Sequence, residues 1–173
     1  RRHRGDAGGS GEALGRRGLS APAAGPGCTR LENRRSRDGA RPPDAPNAMT
    51  TSTLEISISH RVAVVWMARE TVRNAFNETS IADLTETFLK LGSDADVRAI
   101  VLSGRGPAFC AGADLAWMKR MAAFGPEENR ADAMRLATML RTIYDCPKPV
   151  IARVHGDAYA GGVGLVAACD IAV

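Results

Sequence analysis

Residues 149–173 read PVIARVHGDAYAGGVGLVAACDIAV. Residues 149–154 are a short apolar run with β-branched members, which suits a buried strand. His155 and Gly156 interrupt it. Gly161-Gly162-Val163-Gly164 then lead into an apolar segment over 165–169, and Asp170-Ile171-Ala172-Val173 begins another strand. A buried strand, a glycine turn, a short helix and a new strand make a parallel crossover unit. The unit predicts an α/β fold.

The same pattern runs upstream. Residues 54–59 alternate apolar and polar side chains, and residues 62–67 are more fully apolar. With His60-Arg61 between them, they read as a hairpin. Residues 77–92 read as a helix. Ile81, Leu84, Phe88 and Leu91 line one face, Asn77, Thr79 or Ser80 can cap its start, and Gly92 can stop it. Residues 98–103 form a second buried strand and 104–107 a loop. A helix is expected over 114–123, broken by Gly125-Pro126. The next helix begins at Pro126 and runs to Tyr144, with Ala133, Leu136, Leu140 and Ile143 as its apolar stripe. The last strand is cut short after four residues, so the sequence is expected to be the first part of a longer domain.

Composition divides the chain. Residues 1–48 carry ten arginines, no lysine and five acids, a net +5, and nine of the eighteen glycines. Their only large aliphatics are Leu14, Leu19 and Leu31, too few to offset the entropy of ordering. They are expected to be disordered. Arg, Gly, Ala and Pro dominate the segment, as translated GC-rich upstream DNA would give, and Met49 is the expected true start. Residues 49–173 have a net charge of −1, which gives no basic face for nucleic acid. No stretch approaches the ~18 apolar residues of a membrane-spanning helix. The cysteines at 28, 110, 146 and 169 lack metal-ligand or disulfide spacing, and free thiols point to a reducing, cytoplasmic setting.

Two turns can carry chemistry. Phe109-Cys110-Ala111-Gly112-Ala113-Asp114 and the 156–164 glycine segment each follow a strand and open a helix. Both place backbone N–H groups beyond the carboxyl end of a strand, where α/β folds bind ligands. A helix N-terminus has unsatisfied donors and partial positive charge, and can receive a phosphate or a developing oxyanion. Neither a GxGxxG fingerprint, a P-loop nor a GxSxG elbow occurs.

Arg73-Asn74-Ala75-Phe76-Asn77, the strand over 99–104, the 109–115 run, Lys148-Pro149-Val150-Ile151-Ala152 and residues 160–173 together resemble the enoyl-CoA hydratase/isomerase (crotonase) superfamily. The resemblance implies a crotonase-like spiral of ββα repeats, incomplete at its C-terminal side here, and assembly as homotrimers or hexamers. It implies acyl-CoA thioester substrates, with no cofactor beyond the coenzyme A of the substrate. By matching positions, the N–H groups of Ala113 and Gly161 would stabilise a thioester enolate. Ala111, Asp114, Leu115, Ala116, Trp117 and Gly162 would lie along the substrate, with Arg73 and Asn74 near the adenine and phosphates. On the residues alone, Asp114 reads as a helix cap, Trp117 and Met118 as lining the acyl pocket or as core residues of a helix, with core favoured for Met118, Cys110 as a small buried residue, and His155 and Asp170 as structural.

Two positions depart from the family pattern. Met67-Ala68-Arg69-Glu70 lacks the usual Asn and Pro, and Gly164 stands where two-glutamate hydratases carry a glutamate. The segments at 113–121 and 159–173 are similar to the bacterial methylglutaconyl-CoA or carboxygeranoyl-CoA hydratase branch. Hydration of a branched or carboxylated enoyl-CoA is therefore expected. The alternatives are double-bond isomerisation, which needs a single carboxylate, and a non-catalytic acyl-CoA-binding fragment. Residues 49–173 alone are expected to be inactive.

Overall fold

The computed structural model describes residues 47–173. A six-stranded sheet runs in the order β1 (Asn47–Thr50), β2 (Leu54–Ser59), β3 (Val62–Met67), β4 (Ala99–Gly104), β6 (Val150–Ala152), β8 (Ile171–Ala172). A smaller sheet pairs β5 (Ala108–Cys110) with β7 (Asp157–Ala158) in parallel. Four helices complete the unit: α1 (Glu78–Ser93), α2 (Leu115–Met121), α3 (Pro126–Tyr144) and α4 (Gly161–Ala168). The expected disorder of the N-terminal segment falls on residues 1–46, outside the described residues. Asn47 and Ala48, placed in that segment by composition, pair with Ile58 and Ser57 in β1.

β2 and β3 form the expected antiparallel hairpin. Its two-residue turn holds His60 and Arg61 at φ 50° and 64°, left-handed values for which Asn-Gly is the usual choice. Arg61 secures the turn: its Nη2 donates to Ala95 O at 2.8 Å, and its carbonyl accepts from Arg98 N at 2.7 Å. From β3 onward the large sheet is parallel. The chain passes from β4 to β5 to α2 and α3, then from β6 to β7 to α4, and returns to the large sheet as β8. Each passage adds one strand to each sheet before helices carry the chain back. This is the repeated ββα path expected.

One face of the large sheet buries Leu54, Ile56, Val65, Ile100, Leu102 and Val150 against the helices. Ile81, Leu84, Phe88 and Leu91 are the buried stripe of α1, and Asn77 caps it by accepting from Ser80 N at 3.0 Å. Gly92 does not stop this helix. It lies buried in the last turn, where an added Cβ would sit 3.3 Å from Pro147 Cδ. The stripe of α3 also differs from the periodicity reading: Ala133 is exposed, while Asp132, Met139 and Ile143 are buried. β1, β5 and β7, four, three and two residues long, are too short to show a strand period. Their neighbours define them, through ladder bonds and close backbone contact.

The small sheet depends on an absent side chain. A Cβ on Gly156 would lie 2.2 Å from Pro107 O, a backbone atom that cannot swing aside. Gly156→Ala is expected to separate β5 from β7 and to cost about 1–3 kcal/mol, as overpacking does, read as a lowered denaturation midpoint.

Candidate active site

The segment 108–114 lies between two others. On one side, Ala111 N donates to Arg73 O (2.9 Å), Phe76 N to Gly112 O (2.8 Å) and Asp114 N to Phe76 O (3.0 Å), with Phe76 and Ala113 in a parallel bridge. On the other, Tyr159 N donates to Cys110 O at 3.0 Å, continuing the β5–β7 ladder. In a parallel bridge the residues flanking the bridged one make the bonds. Gly112 C=O and Asp114 N–H face Phe76, so the N–H of Ala113 points the other way.

The second turn brings Gly161 to that side. Gly162 N donates to Tyr159 O at 2.7 Å, closing a tight turn with Ala160 at φ 44°, ψ −116°. These angles are those of the first central residue of a type II′ turn, a position that glycine takes without strain and alanine does not. Val163 N donates to Ala160 O at 3.0 Å. The turn thus satisfies two of the first N–H groups of α4 and leaves that of Gly161. Among the described residues, neither Ala113 N–H nor Gly161 N–H has an acceptor. The turns can meet because Gly112 has φ 88° and no side chain. An added Cβ there would lie 2.9 Å from Tyr159 O and 3.2 Å from Gly161 N. Gly162 allows the next contact, since its Cβ would lie 2.4 Å from Cys110 O. Gly161 rests on the Phe76 ring, with a hypothetical Cβ 2.4 Å from Cζ.

Asp114 caps α2, accepting from Ala116 N at 2.8 Å and Trp117 N at 3.2 Å on Oδ1. Its Oδ2 accepts from Arg69 Nη2 at 2.8 Å, and Arg69 Nη1 donates to Ala75 O. The Arg69 guanidinium, helped by the two cap bonds, holds the buried Asp114 carboxyl below the ordinary carboxylate pKa. Arg69 was missed in the sequence except as part of a run that departs from the family pattern; its partners 45 residues along the chain were not visible there. Asn74, expected near the substrate phosphates, is 2% exposed. Its Oδ1 accepts from Arg69 N, and its Nδ2 donates to Arg105 O and Ala108 O. The side chain holds backbone, and its φ of 55° suits asparagine.

The other expected residues divide. Arg73 is exposed, and its charge bears on Tyr159 at the second turn. Bonding to Asp157 and that carboxylate's charge raise the Tyr159 hydroxyl pKa, while Arg73 opposes this. Leu115 and Ala116 are exposed at the start of α2, and Ala111 is half-buried beside Arg73. Trp117 is 4% exposed in the core, whereas Met118, read as core, is 50% exposed. Cys110 is buried, its thiol pKa raised by that burial, and it donates to Asn74 O at 3.2 Å. His155 is exposed, its Nε2 2.9 Å from Gly106 O. Asp170 binds β6 through Val150 N at 2.8 Å. A groove of about 750 Å³ lies elsewhere, between α1 and α3, lined by Phe88, Leu89, Met134, Ala137 and Pro147; neither glycine turn reaches it.

Two sheets joined by a repeated ββα path, with the two glycine-bearing turns in contact at Gly112 and Gly161, define a crotonase-type domain. The family model for enoyl-CoA hydratase/isomerase matches residues 57–173, and the chain belongs to that family. A Thermus thermophilus protein of enoyl-CoA hydratase name is 43% identical over 112 residues, covering 65% of this chain and 44% of that protein. The human mitochondrial Delta(3,5)-Delta(2,4)-dienoyl-CoA isomerase is 39% identical over 139 residues, covering 74% and 42%. The crystal structure of an enoyl-CoA hydratase from Shewanella pealeana superimposes with a TM-score of 0.68 at 33% identity, covering 69% of this chain and 45% of the other. The chain spans less than half the length of these three proteins.

Asn74→Ala is expected to cost about 1–3 kcal/mol, because buried backbone groups lose their partner; chemical denaturation measures it. Asp114 titrates below its unfolded value, so its contribution to stability is present above about pH 4 and is lost as pH falls through the lowered folded pKa. Asp114→Asn should therefore flatten the acid limb of melting temperature against pH and remove the Arg69–Asp114 ion pair.

Proposed function

We propose that Ala113 N–H and Gly161 N–H form an oxyanion hole for the thioester oxygen of an acyl-CoA. The observation that carries this reading is the pair of N–H groups without acceptors, brought together from two turns by Gly112. As a proton leaves or reaches the carbon next to the thioester, negative charge gathers on its oxygen. Both donors are already fixed by ladder and turn bonds, so little reorganisation is needed. At Gly161 the dipole of α4 adds to the hydrogen bond. Exposed Leu115 and Ala116 would lie along the substrate, and Arg73 beside the second turn offers a cation for its phosphates.

The substrate proposed is a branched or carboxylated enoyl-CoA, methylglutaconyl-CoA-like, undergoing hydration without a further cofactor in a cytoplasmic homotrimer or hexamer. A second reading, double-bond isomerisation, is favoured by Gly164: it brings no carboxylate to the turn, and its hypothetical Cβ would meet only Leu140, at 3.7 Å. A relative named as a dienoyl-CoA isomerase accords with it.

The test replaces the Gly161 N–H. Alanine or proline at 161 would drive a Cβ into the Phe76 ring, so neither isolates the donor. Glycolic acid at position 161 substitutes an ester oxygen for the N–H and adds no atoms. In the natural full-length protein, turnover of enoyl-CoA is expected to fall about 10²–10³-fold, while Gly164→Ala stays near wild type. Near-normal turnover of the folded ester variant would overturn the oxyanion reading.

A further inference from the structure

The parallel strands carry apolar residues on both faces. Ala63, Val65, Ile100, Leu102, Val150 and Ala152 are buried on the face that meets the helices. Val62, Val64, Trp66, Ala99, Val101 and Ile151 alternate with them, point the other way and are half-buried. Ile171, paired with Ile151 on the edge strand, is 51% exposed. Strands that are apolar throughout belong to parallel sheets covered on both faces. The buried residues of all four described helices join the core on the first face.

A row of polar and aromatic side chains crosses the second face at one level. Glu55 on β2 pairs with Trp66 on β3, and Trp66 with Ser103 on β4. One step beyond the Leu102–Ala152 pair, Ser103 stands beside Arg153. Arg105, two residues after Ser103, turns back over the Trp66 ring, with Cζ 4.2 Å from the centroid. Its Nε and Nη2 donate to Glu55 Oε2 at 2.9 and 2.6 Å. Arg153 reaches across β4 to the same ring, with Cζ at 5.5 Å. The two guanidiniums therefore lie within roughly 10 Å of each other, about one Debye length. Among the described residues, Arg153 has no ion-pair partner and Glu55 Oε1 accepts no bond.

We propose that this face is a two-fold interface between two copies of the chain. An axis parallel to the strands, midway between β3 and β4, turns the row end for end. Glu55 then faces the partner's Arg153, and Arg153 faces the partner's Glu55. Val62 and Val64 meet the β4 residues of the other copy, and the two sheets stack with their strands aligned, as paired sheets do. The axis falls at the centre of the six-stranded order, so β2 lies against β6 and β1 against β8 of the other copy. A carboxylate at one end of the row and an unpaired guanidinium at the other make the face complementary to itself, the condition for a closed two-fold contact. That selects a second copy over an unrelated partner. Each carboxylate bridges two guanidiniums, Arg105 of its own chain on Oε2 and the partner's Arg153 on Oε1, in charge-assisted bonds. The inference is independent of the oxyanion reading, and the failure of one leaves the other standing.

The experiment weighs the natural full-length protein by sedimentation equilibrium at micromolar concentration. The wild type should form an even assembly, a dimer or a hexamer. Arg153→Glu and Glu55→Lys each set like charges against each other across the axis, and each alone should have half the wild-type mass. Mixed in equal amounts, the two variants should regain the full mass, because every contact in the mixed pair again joins opposite charges. A role confined to one chain, such as the Arg105–Glu55 pair, gives no recovery on mixing. Val101→Lys breaks no ion pair within the chain and should also halve the mass. It carries the test if circular dichroism shows that a charge-reversed chain does not fold. A monomeric or trimeric wild type overturns the proposal, since a three-fold ring contains no such axis. So do folded variants of wild-type mass, and so do half-mass charge variants that fail to recover on mixing, which assign the face to a different occupant.

Discussion

The structure around the site depends on backbone meeting backbone without Cβ atoms between. Gly112, Gly156 and Gly162 each stand where a methyl group would fall within 3 Å of a carbonyl oxygen on a facing segment. Carbonyl oxygens in a ladder cannot move aside as flexible side chains can, so glycine is required at these contacts. With the glycines in place, β5 and β7 pair in parallel across a bulge between Ala108 and Cys110, the 73–76 segment bonds the far side of residues 111–114, and the two turns open side by side. The donors at Ala113 and Gly161 follow from that approach.

Polar side chains hold the frame in place. Asn74 ties three backbone groups of different segments, and Arg69 joins the 68–75 turn to the start of α2 through Asp114. Asp83 plays a similar part in the second turn of α1: its Oδ2 accepts from Thr51, Ser52 and Thr53 and secures the connection between β1 and β2. The bonds from these three hydroxyl groups lower its carboxyl pKa against the opposing effect of burial. Each of these residues turns a loop into a fixed path. Strain collects in the same place. Arg73, Asn74 and Ala160 have left-handed φ values, and surrounding bonds hold all three.

Much of the fold was legible because burial leaves a period. Ile81, Leu84, Phe88 and Leu91 repeat at helical steps, β2 alternates, and Pro126 and Asn77 sit where helix starts need them. The two turns were legible because glycines and other small residues cluster before each helix, a pattern that tight turns also use. Side-chain roles were harder. Asn74 and Met118 have residue types that permit either exposure or burial, and only their neighbours decide. Asp132 interrupts an apolar stripe, which periodicity counts as a solvent position.

The sequence by itself determined the α/β class, the order of the main strands and helices, and the two turns, because local pattern and backbone chemistry need no distant partner. The tertiary structure alone decided that β5 and β7 form a sheet, that Asn74 is buried, that Arg69 meets Asp114, and that a carboxylate oxygen of Asp132 is enclosed without a donor among the described residues. These depend on contacts between residues as far as 49 positions apart, which no local pattern records.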